Sequence, residues 1–277
     1  MMSETATAMG WEGKSDVLVR AERIFAFEEP TDMPIFARQF SSHDARELQM
    51  RLLPTRPPLV PGFRFSGVSV PAALVGGDHF NFLSCGGDKI GLLMFDVSGK
   101  GALAALVAAR LRAIFRTQTW GNSDARDVVS RANDFLLRVV PPTNFVTAIY
   151  GILELKTRHF HFVRAGHEPL LLRRANGEIE TLAPDGFPLG LLPASEFIAG
   201  LEIQTVQFQS GDRLLMFTDG LTETMNQNDE EFGLERIIET LSASNGDDLH
   251  ELQSAVIEFA QNAPQHDDLT ILSVEVD

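Results

Sequence analysis

The stretch Ile90-Gly91-Leu92-Leu93-Met94-Phe95-Asp96-Val97-Ser98-Gly99-Lys100-Gly101, with the Ala/Leu-rich run that follows it, decides the fold. A short apolar run that ends in a glycine-bounded turn predicts a buried strand, and the alanine and leucine pattern beyond the turn predicts a buried helix. Asp96 is a lone carboxylate at the tip of this strand. Because a buried unpaired charge is costly, Asp96 requires a cation, backbone donors or water, and a helix-capping role is the alternative on this stretch alone.

Aspartates stand at the ends of three further apolar runs. They are Asp78 after Gly76-Gly77, Asp219 after the run 213–217, and Asp267-Asp268 before the run 269–276. A hairpin between the runs 80–83 and 90–95 would bring Asp78 and Asp96 to one sheet edge. Four acidic strand ends favour a shared metal cluster over four separate turns, and aspartate oxygens suit hard divalent cations.

Composition narrows the class of protein. With 277 residues, 44% of them hydrophobic and 22% charged, the chain is long enough to bury a sizeable core. The net charge of -15 opposes nucleic acid and anionic membrane surfaces. The single Cys85 excludes an internal disulfide, and the seven dispersed histidines show no zinc-ligand spacing. Without a signal-like start or an apolar run of about 20 residues, we expect a cytoplasmic protein with no membrane span.

Strands in runs, hairpin turns and grouped helices predict an α+β fold with largely antiparallel sheets. The predicted strands cover 63–70, 80–83, 90–95, 146–155, 160–164, 170–173, 178–182, 201–208, 213–217 and 269–276, and the predicted helices cover 44–53, the run after Gly101, 125–140, 234–243 and 249–261. Residues 1–57 are interpreted as an N-terminal arm with a short regulatory helix and linker, and residues 58–277 as one domain. The first 40 residues, with scattered aromatics such as Phe25 and Phe27, are either a partner-contacting arm or a disordered tail.

Six motifs together resemble the PPM-type (PP2C-like), SpoIIE-like bacterial serine/threonine phosphatases. In chain order they are Gly76-Gly77-Asp78, Asp96-Val97-Ser98-Gly99-Lys100-Gly101, Ala165-Gly166-His167-Glu168-Pro169, Pro188-Leu189-Gly190, Thr218-Asp219-Gly220-Leu221-Thr222-Glu223 and Asp267-Asp268-Leu269-Thr270. The resemblance runs from about residue 58 to the end of the chain. It implies an α-β-β-α sandwich of two antiparallel sheets with two Mn²⁺ or Mg²⁺ ions at one end.

The resemblance also implies residue roles. Asp96 would bridge both metals, with the Val97 carbonyl as a further ligand, and Asp78 would help hold one ion. Asp219 and Asp267 would hold the other ion or its waters. Asp268 also matches the motif. Of these, Asp78, Asp96 and Asp219 are the expected catalytic residues. A water activated by the paired ions would then hydrolyse phosphoserine or phosphothreonine without a covalent intermediate.

This chain departs from the family pattern at two positions. Asn81 stands where a second acid is common, which places the outer metal site in question, and Lys100 stands where many members have histidine. Lys100 is either a solvent-facing helix-start residue or a phosphate contact. The proton donor to the leaving group stays open between His79, His167 and a metal-bound water.

The resemblance implies a phosphorylated protein substrate, usually a STAS-type anti-sigma-factor antagonist. An upstream regulator is expected to dock on the helix 44–53, and a homodimer is kept open. A non-catalytic pseudophosphatase that binds a partner is the main alternative function. A nucleotide cyclase of the Gly-Gly-Asp-Glu-Phe kind is a weaker one, because His79 follows Asp78 in the matching motif.

Overall fold

Within residues 42–54, 56–140, 144–244 and 246–277, which the computed structural model describes, ten strands form two antiparallel sheets. The strands are β1 Phe63–Val70, β2 His79–Gly86, β3 Lys89–Val97, β4 Val146–Glu154, β5 His159–Ala165, β6 Leu170–Arg173, β7 Ile179–Leu182, β8 Gln204–Gln207, β9 Arg213–Phe217 and β10 Leu269–Val276. The first sheet has the order β1-β10-β9-β6-β7 and the second has the order β2-β3-β4-β5-β8.

Seven helices accompany the two sheets in the described residues. They are α1 Ser42–Met50, α2 Ala102–Thr119, α3 Ala125–Val139, α4 Ala194–Ala199, α5 Asp219–Thr222, α6 Gly233–Ala243 and α7 Asp248–Ala260. Helices α2, α3 and α4 pack on the second sheet, α6 and α7 pack on the first, and a third hydrophobic cluster fills the space between the sheets. The predicted α+β sandwich is therefore confirmed.

Strand β3 has an apolar sequence because both of its faces are covered. Leu92 and Met94 belong to the cluster between the sheets, whereas Leu93 and Phe95 belong to the cluster under α2 and α3. All four side chains are fully buried, and each such burial stabilises the fold by roughly 1.5–3 kcal/mol. Because side chains alternate along a strand, Asp96 follows Leu92 and Met94 onto the side that faces the first sheet.

Most predicted elements are present with shifted ends. The strand predicted over 201–208 is shorter, at Gln204–Gln207, and the short helices α4 and α5 were not predicted. Asp219 is the first residue of α5 rather than a strand tip, with Thr218 preceding the helix in an extended conformation. Helices of four and six residues are too short to show a 3.6-residue period in the sequence.

Helix α1 lies beside the turn that carries Asp78. The side-chain amide of Gln49 donates to the carbonyl of Gly76 at 2.6 Å and accepts from the amide of Gly76 at 3.0 Å. Leu53, just beyond the helix, packs against the cluster between the sheets. The division at residue 57 stays a prediction, and the expectations for the first 41 residues fall outside the described residues. In the described ranges, no helix has both the length and the hydropathy needed to cross a bilayer.

Candidate active site

The five predicted aspartates meet at one end of the sandwich. Asp78 and Asp96 come from the start of β2 and the end of β3 in the second sheet, whereas Asp219, Asp267 and Asp268 flank β9 and β10 in the first. Burial raises the pKa of Asp96 to about 7, and repulsion from Asp219, Asp267 and Asp268 adds to the increase. The sequence-based prediction that these acids converge is thus correct.

Asp78 is buried and is tied to the opposite sheet. Its carboxylate accepts a hydrogen bond from the Thr218 hydroxyl at 2.7 Å, and the same hydroxyl accepts from the Thr270 amide at 3.0 Å. Burial raises the pKa of Asp78 well above its usual value, and the charges of Asp96 and Asp268 raise it further. Asp78 therefore sits where its negative charge is stable only beside a cation or strong donors.

Asp268 holds the turn that carries Asp78. Its carboxylate accepts from the backbone amides of Ala72 and Gly77, both at 2.8 Å, and from that of Asp78 at 3.4 Å. A β-carbon on Gly76 would lie 1.9 Å from one of its oxygens, so the turn requires glycine at this position. These contacts give Asp268 a positioning role, and its expected role as a metal ligand stays a prediction.

Two oxygen ligands expected for the metal ions lie close to the backbone of Gly77. A β-carbon on Gly77 would lie 2.7 Å from the Val97 carbonyl oxygen and 3.1 Å from Oδ1 of Asp96. Carboxylate and carbonyl oxygens are the donors that Mg²⁺ and Mn²⁺ prefer, so the chemistry of this cradle fits the expected ions. In the part of the chain that the structure describes, no group of three or more His, Cys, Asp or Glu side chains is already arranged to hold an ion.

Asp219 and Asp267 form the other side of the site. Burial and the charge of Asp267 raise the pKa of Asp219. Lys100 lies 3.0 Å from the Asp267 carboxylate and also donates to the carbonyl of His266. The Lys100 side chain is 61% exposed, which agrees with the predicted solvent-facing position at the start of a helix. Its ion pair with Asp267 was not predicted.

Both candidate histidines are uncharged at neutral pH. Burial, aided by the charge of Arg112, lowers the pKa of His79 to about 3, and its ring packs on Phe95 with centroids 5.1 Å apart. Burial likewise lowers the pKa of His167 to about 3, and its Nδ1 lies 2.8 Å from the Thr147 hydroxyl. A neutral imidazole of this kind is a poor proton donor.

Asn81 does not join the carboxylates. In the β2–β3 pairing it lies opposite Leu93, on the face that packs under α2 and α3, and its amide is 3.5 Å from Nε2 of His79. Asp96 lies on the other face of the same sheet. An acid at position 81 would therefore point away from Asp96, unlike the outer metal ligand that the family pattern suggested.

Comparison with known proteins assigns the family. The sequence model described as Stage II sporulation protein E (SpoIIE) matches residues 86–277. The chain belongs to the SpoIIE family. The match covers most of the chain, including four of the five aspartates discussed above.

Two curated relatives have similar sequences. Protein IcfG of Synechocystis is 27% identical over 259 residues, which cover 83% of this chain and 40% of IcfG. Phosphoserine phosphatase RsbU of Bacillus subtilis is 24% identical over 232 residues, which cover 82% of this chain and 68% of RsbU. The chain thus spans less than half the length of IcfG and about two thirds of the length of RsbU.

Solved structures share the fold. The RsbU and RsbW domains of Rv1364c from Mycobacterium tuberculosis are 28% identical with a TM-score of 0.64, over 79% of this chain and 61% of that one. The PP2C phosphatase domain of SpoIIE from Bacillus subtilis, with a fragment of its regulatory domain, is 21% identical with a TM-score of 0.66, over 78% and 62%. The sandwich of this SpoIIE-family chain is therefore the PPM-type phosphatase fold.

Two glutamates extend the acidic end of this SpoIIE-family site. Both lie in the motifs quoted above, but no role was predicted for either glutamate. Burial raises the pKa of Glu168, and the charges of Asp219 and Glu223 raise it further. Burial and the charge of Asp219 raise the pKa of Glu223 in turn. A shallow cleft opens beside Glu223 and Asp267, with Met225 and Pro264 among its lining residues.

Proposed function

We propose that this chain is a metal-dependent protein phosphatase that hydrolyses phosphoserine or phosphothreonine. The convergence of five aspartates from both sheets at one end of the sandwich carries the proposal. Membership of the SpoIIE family supports it, because PPM-type phosphatases depend on Mg²⁺ or Mn²⁺. Hydrolysis of a phosphate monoester is among the slowest uncatalysed reactions, so its transition state needs concentrated positive charge.

The proposed metal ligands are the carboxylates of Asp78, Asp96, Asp219 and Asp267 and the carbonyl of Val97. When bound, two divalent ions supply a water of lowered pKa and the positive charge for the phosphoryl group. The chain itself contributes position. The Asp268 carboxylate fixes the amides of Gly77 and Asp78, and the missing β-carbon of Gly77 lets the turn lie close to the Val97 carbonyl and the Asp96 carboxylate.

The proposed substrate is a phosphorylated STAS-type anti-sigma-factor antagonist or a similar signalling protein. RsbU is named a phosphoserine phosphatase, and Rv1364c joins an RsbU domain to an RsbW domain. The cleft beside Asp267 combines acidic and apolar lining, which suits a polypeptide better than a nucleic acid. A regulator that contacts α1 would act on the site through the bonds between Gln49 and Gly76. The homodimer and the cytoplasmic location stay predictions.

Phosphate release from a phosphorylated STAS protein tests the proposal directly. With Mn²⁺ present, Asp96→Asn or Asp219→Asn should lower the rate at least about a hundredfold, because each removes charge that holds the catalytic ions. Asp88→Asn, an exposed carboxylate on the β2–β3 turn that pairs with Lys156, is the matched control and should keep the full rate. Unchanged rates for the Asp96 and Asp219 variants would refute the assignment.

The alternative, a pseudophosphatase that binds a partner, is favoured by one observation. The Lys100 ammonium pairs with Asp267, so a protein cation stands at an expected metal ligand. Calorimetry with Mn²⁺ separates the two functions, because a phosphatase must bind the ion and a pseudophosphatase need not. The fold and the family leave the nucleotide-cyclase hypothesis without support.

A further inference from the structure

The outward face of α2 is an uncovered apolar stripe. Leu103, Leu106 and Trp120 are 55%, 65% and 69% exposed. With Arg110, Ala113 and Thr117 they recur every three or four residues, which places all six on one side of the helix. The opposite side carries the buried residues of the helix, Ala104, Ala108, Leu111, Phe115 and Thr119. Large apolar side chains in such a row are typical of a surface that another segment covers.

The same helix is strongly basic in an acidic protein. Its sequence contains Arg110, Arg112 and Arg116 and no acidic residue, whereas the chain as a whole has a net charge of -15. None of the three forms an ion pair with any residue that the structure describes, and Arg110 instead lies over the Phe135 ring at 5.5 Å. A segment that combines apolar side chains with carboxylates would complement both properties of the face.

The chain contains one such segment outside the described residues. Residues 24–36 read Ile-Phe-Ala-Phe-Glu-Glu-Pro-Thr-Asp-Met-Pro-Ile-Phe, with three acids, no base and six large apolar residues. Pro30 and Pro34 oppose a helix and favour an extended chain. We propose that residues 24–36 dock along the α2 stripe, with large apolar side chains of the segment on Leu103, Leu106 and Trp120 and its acids on Arg110 and Arg116.

The length of the intervening chain allows this contact. Six residue steps separate Phe36 from Ser42 and span at most about 20 Å, and α1 itself is about 13 Å long. The stripe from Leu103 to Trp120 is about 26 Å long, which an extended run of eight residues covers, so the thirteen-residue segment is more than long enough for it.

The ends of the two helices also lie around the same pair of aspartates. Gln49 near the end of α1 bonds Gly76, whose neighbour Gly77 bonds Asp268. Lys100, just before α2, bonds Asp267. The C-terminal end of α1 and the N-terminal end of α2 therefore lie at the same end of the sandwich.

A second copy of the chain is a poorer occupant. A two-fold interface would place the same stripe on both sides, so the arginines of one α2 would face those of the other. Like charges would then repel each other across the interface. The docked acidic segment instead neutralises the arginines. This inference concerns the helix face alone and does not depend on the phosphatase function.

Fluorescence of Trp120 tests the docking in the full chain. The protein has two tryptophans, so Trp11→Phe leaves Trp120 as the single reporter. Acrylamide should quench Trp120 roughly twofold less in this protein than in its Arg110→Glu/Arg116→Glu variant, because docking buries a side chain that is 69% exposed in the described structure. Glu28→Arg/Glu29→Arg should remove the shielding equally, and combining both pairs of substitutions should restore it.

Controls keep the result decisive. Arg64→Glu, which reverses an exposed arginine on β1, should leave the quenching unchanged, and a common melting temperature checks that the variants fold. Added salt should weaken the shielding, because the ion pairs lie at the surface. Equal quenching in the parent and in both charge-reversed proteins would overturn the proposal. Shielding that increases with protein concentration would also overturn it, since that result identifies a second copy as the occupant.

Discussion

The pKa of Asp96 makes the stability of the metal-free protein depend on pH near neutrality. In the folded protein burial, together with the neighbouring aspartates, raises this pKa from 3.8 to about 7. Between these values the folded state binds a proton that the unfolded state releases, so the free energy of unfolding falls as pH rises and levels off above about 7. The two pKa values differ by an amount equivalent to roughly 4 kcal/mol.

Urea unfolding in EDTA at pH 5 and pH 8, followed by circular dichroism, measures this effect. The wild-type protein should be less stable at pH 8, and Asp96→Asn, which cannot ionise, should reduce the difference by up to about 3 kcal/mol, because only the part of the window from pH 5 to about 7 lies between the two conditions. Asp88→Asn, from the same hairpin, should retain the wild-type difference. Saturating Mn²⁺ should also reduce it, because the cation stabilises the ionised carboxylates. An Asp96→Asn protein with the full wild-type pH dependence would refute the reasoning.

Two further substitutions examine the supports of the site and the fold. Gly76→Ala places a β-carbon 1.9 Å from the Asp268 carboxylate, so the turn that Asp268 holds must move. The Mn²⁺ affinity measured by calorimetry should therefore fall at least about tenfold. An unchanged affinity would contradict the positioning role of Asp268. Arg213→Met leaves the buried Asp248 without its ion-pair partner and should lower the free energy of unfolding by about 3–5 kcal/mol in urea titration. The double variant Arg213→Met/Asp248→Leu should regain most of this stability, because it also removes the buried charge. Equal losses in the single and double variants would show that the buried charge is not the cause.

The sequence predicted those parts of the fold in which local pattern and tertiary environment agree. The apolar run before Asp96 is buried on both faces, so it could only form a central strand, and the Gly-Gly-Asp turn at Gly86 closes the β2–β3 hairpin. Acids at the ends of separate strands were expected to meet because an unpaired buried charge needs partners. Residues 1–41 lie beyond what the structure describes, and the predictions for them stay untested.

Contacts between distant residues were not predictable from one sequence. Asp268 accepts amide hydrogen bonds from residues 190 or more positions away in the sequence. Its own sequence motif, an acid before a strand, is the same as that expected of a metal ligand, so the motif could not distinguish the two roles. The amide of Gln49 and the hydroxyl of Thr218 belong to common residue types with no periodic signature, and only folding brings them to Gly76 and Asp78. Burial of His79 and His167 likewise follows from packing rather than from the adjacent acids.

The distribution of the aspartates between the two sheets has a consequence during folding. The second sheet supplies Asp78 and Asp96 from the first third of the domain, and the first sheet supplies Asp267 and Asp268 at its last strand. An ion held by both sets, as proposed above, would bind only after β10 has inserted between β1 and β9, so it would stabilise the completed sandwich and no earlier intermediate. A chain still emerging from the ribosome, or one that has lost its final strand, would consequently lack the proposed site.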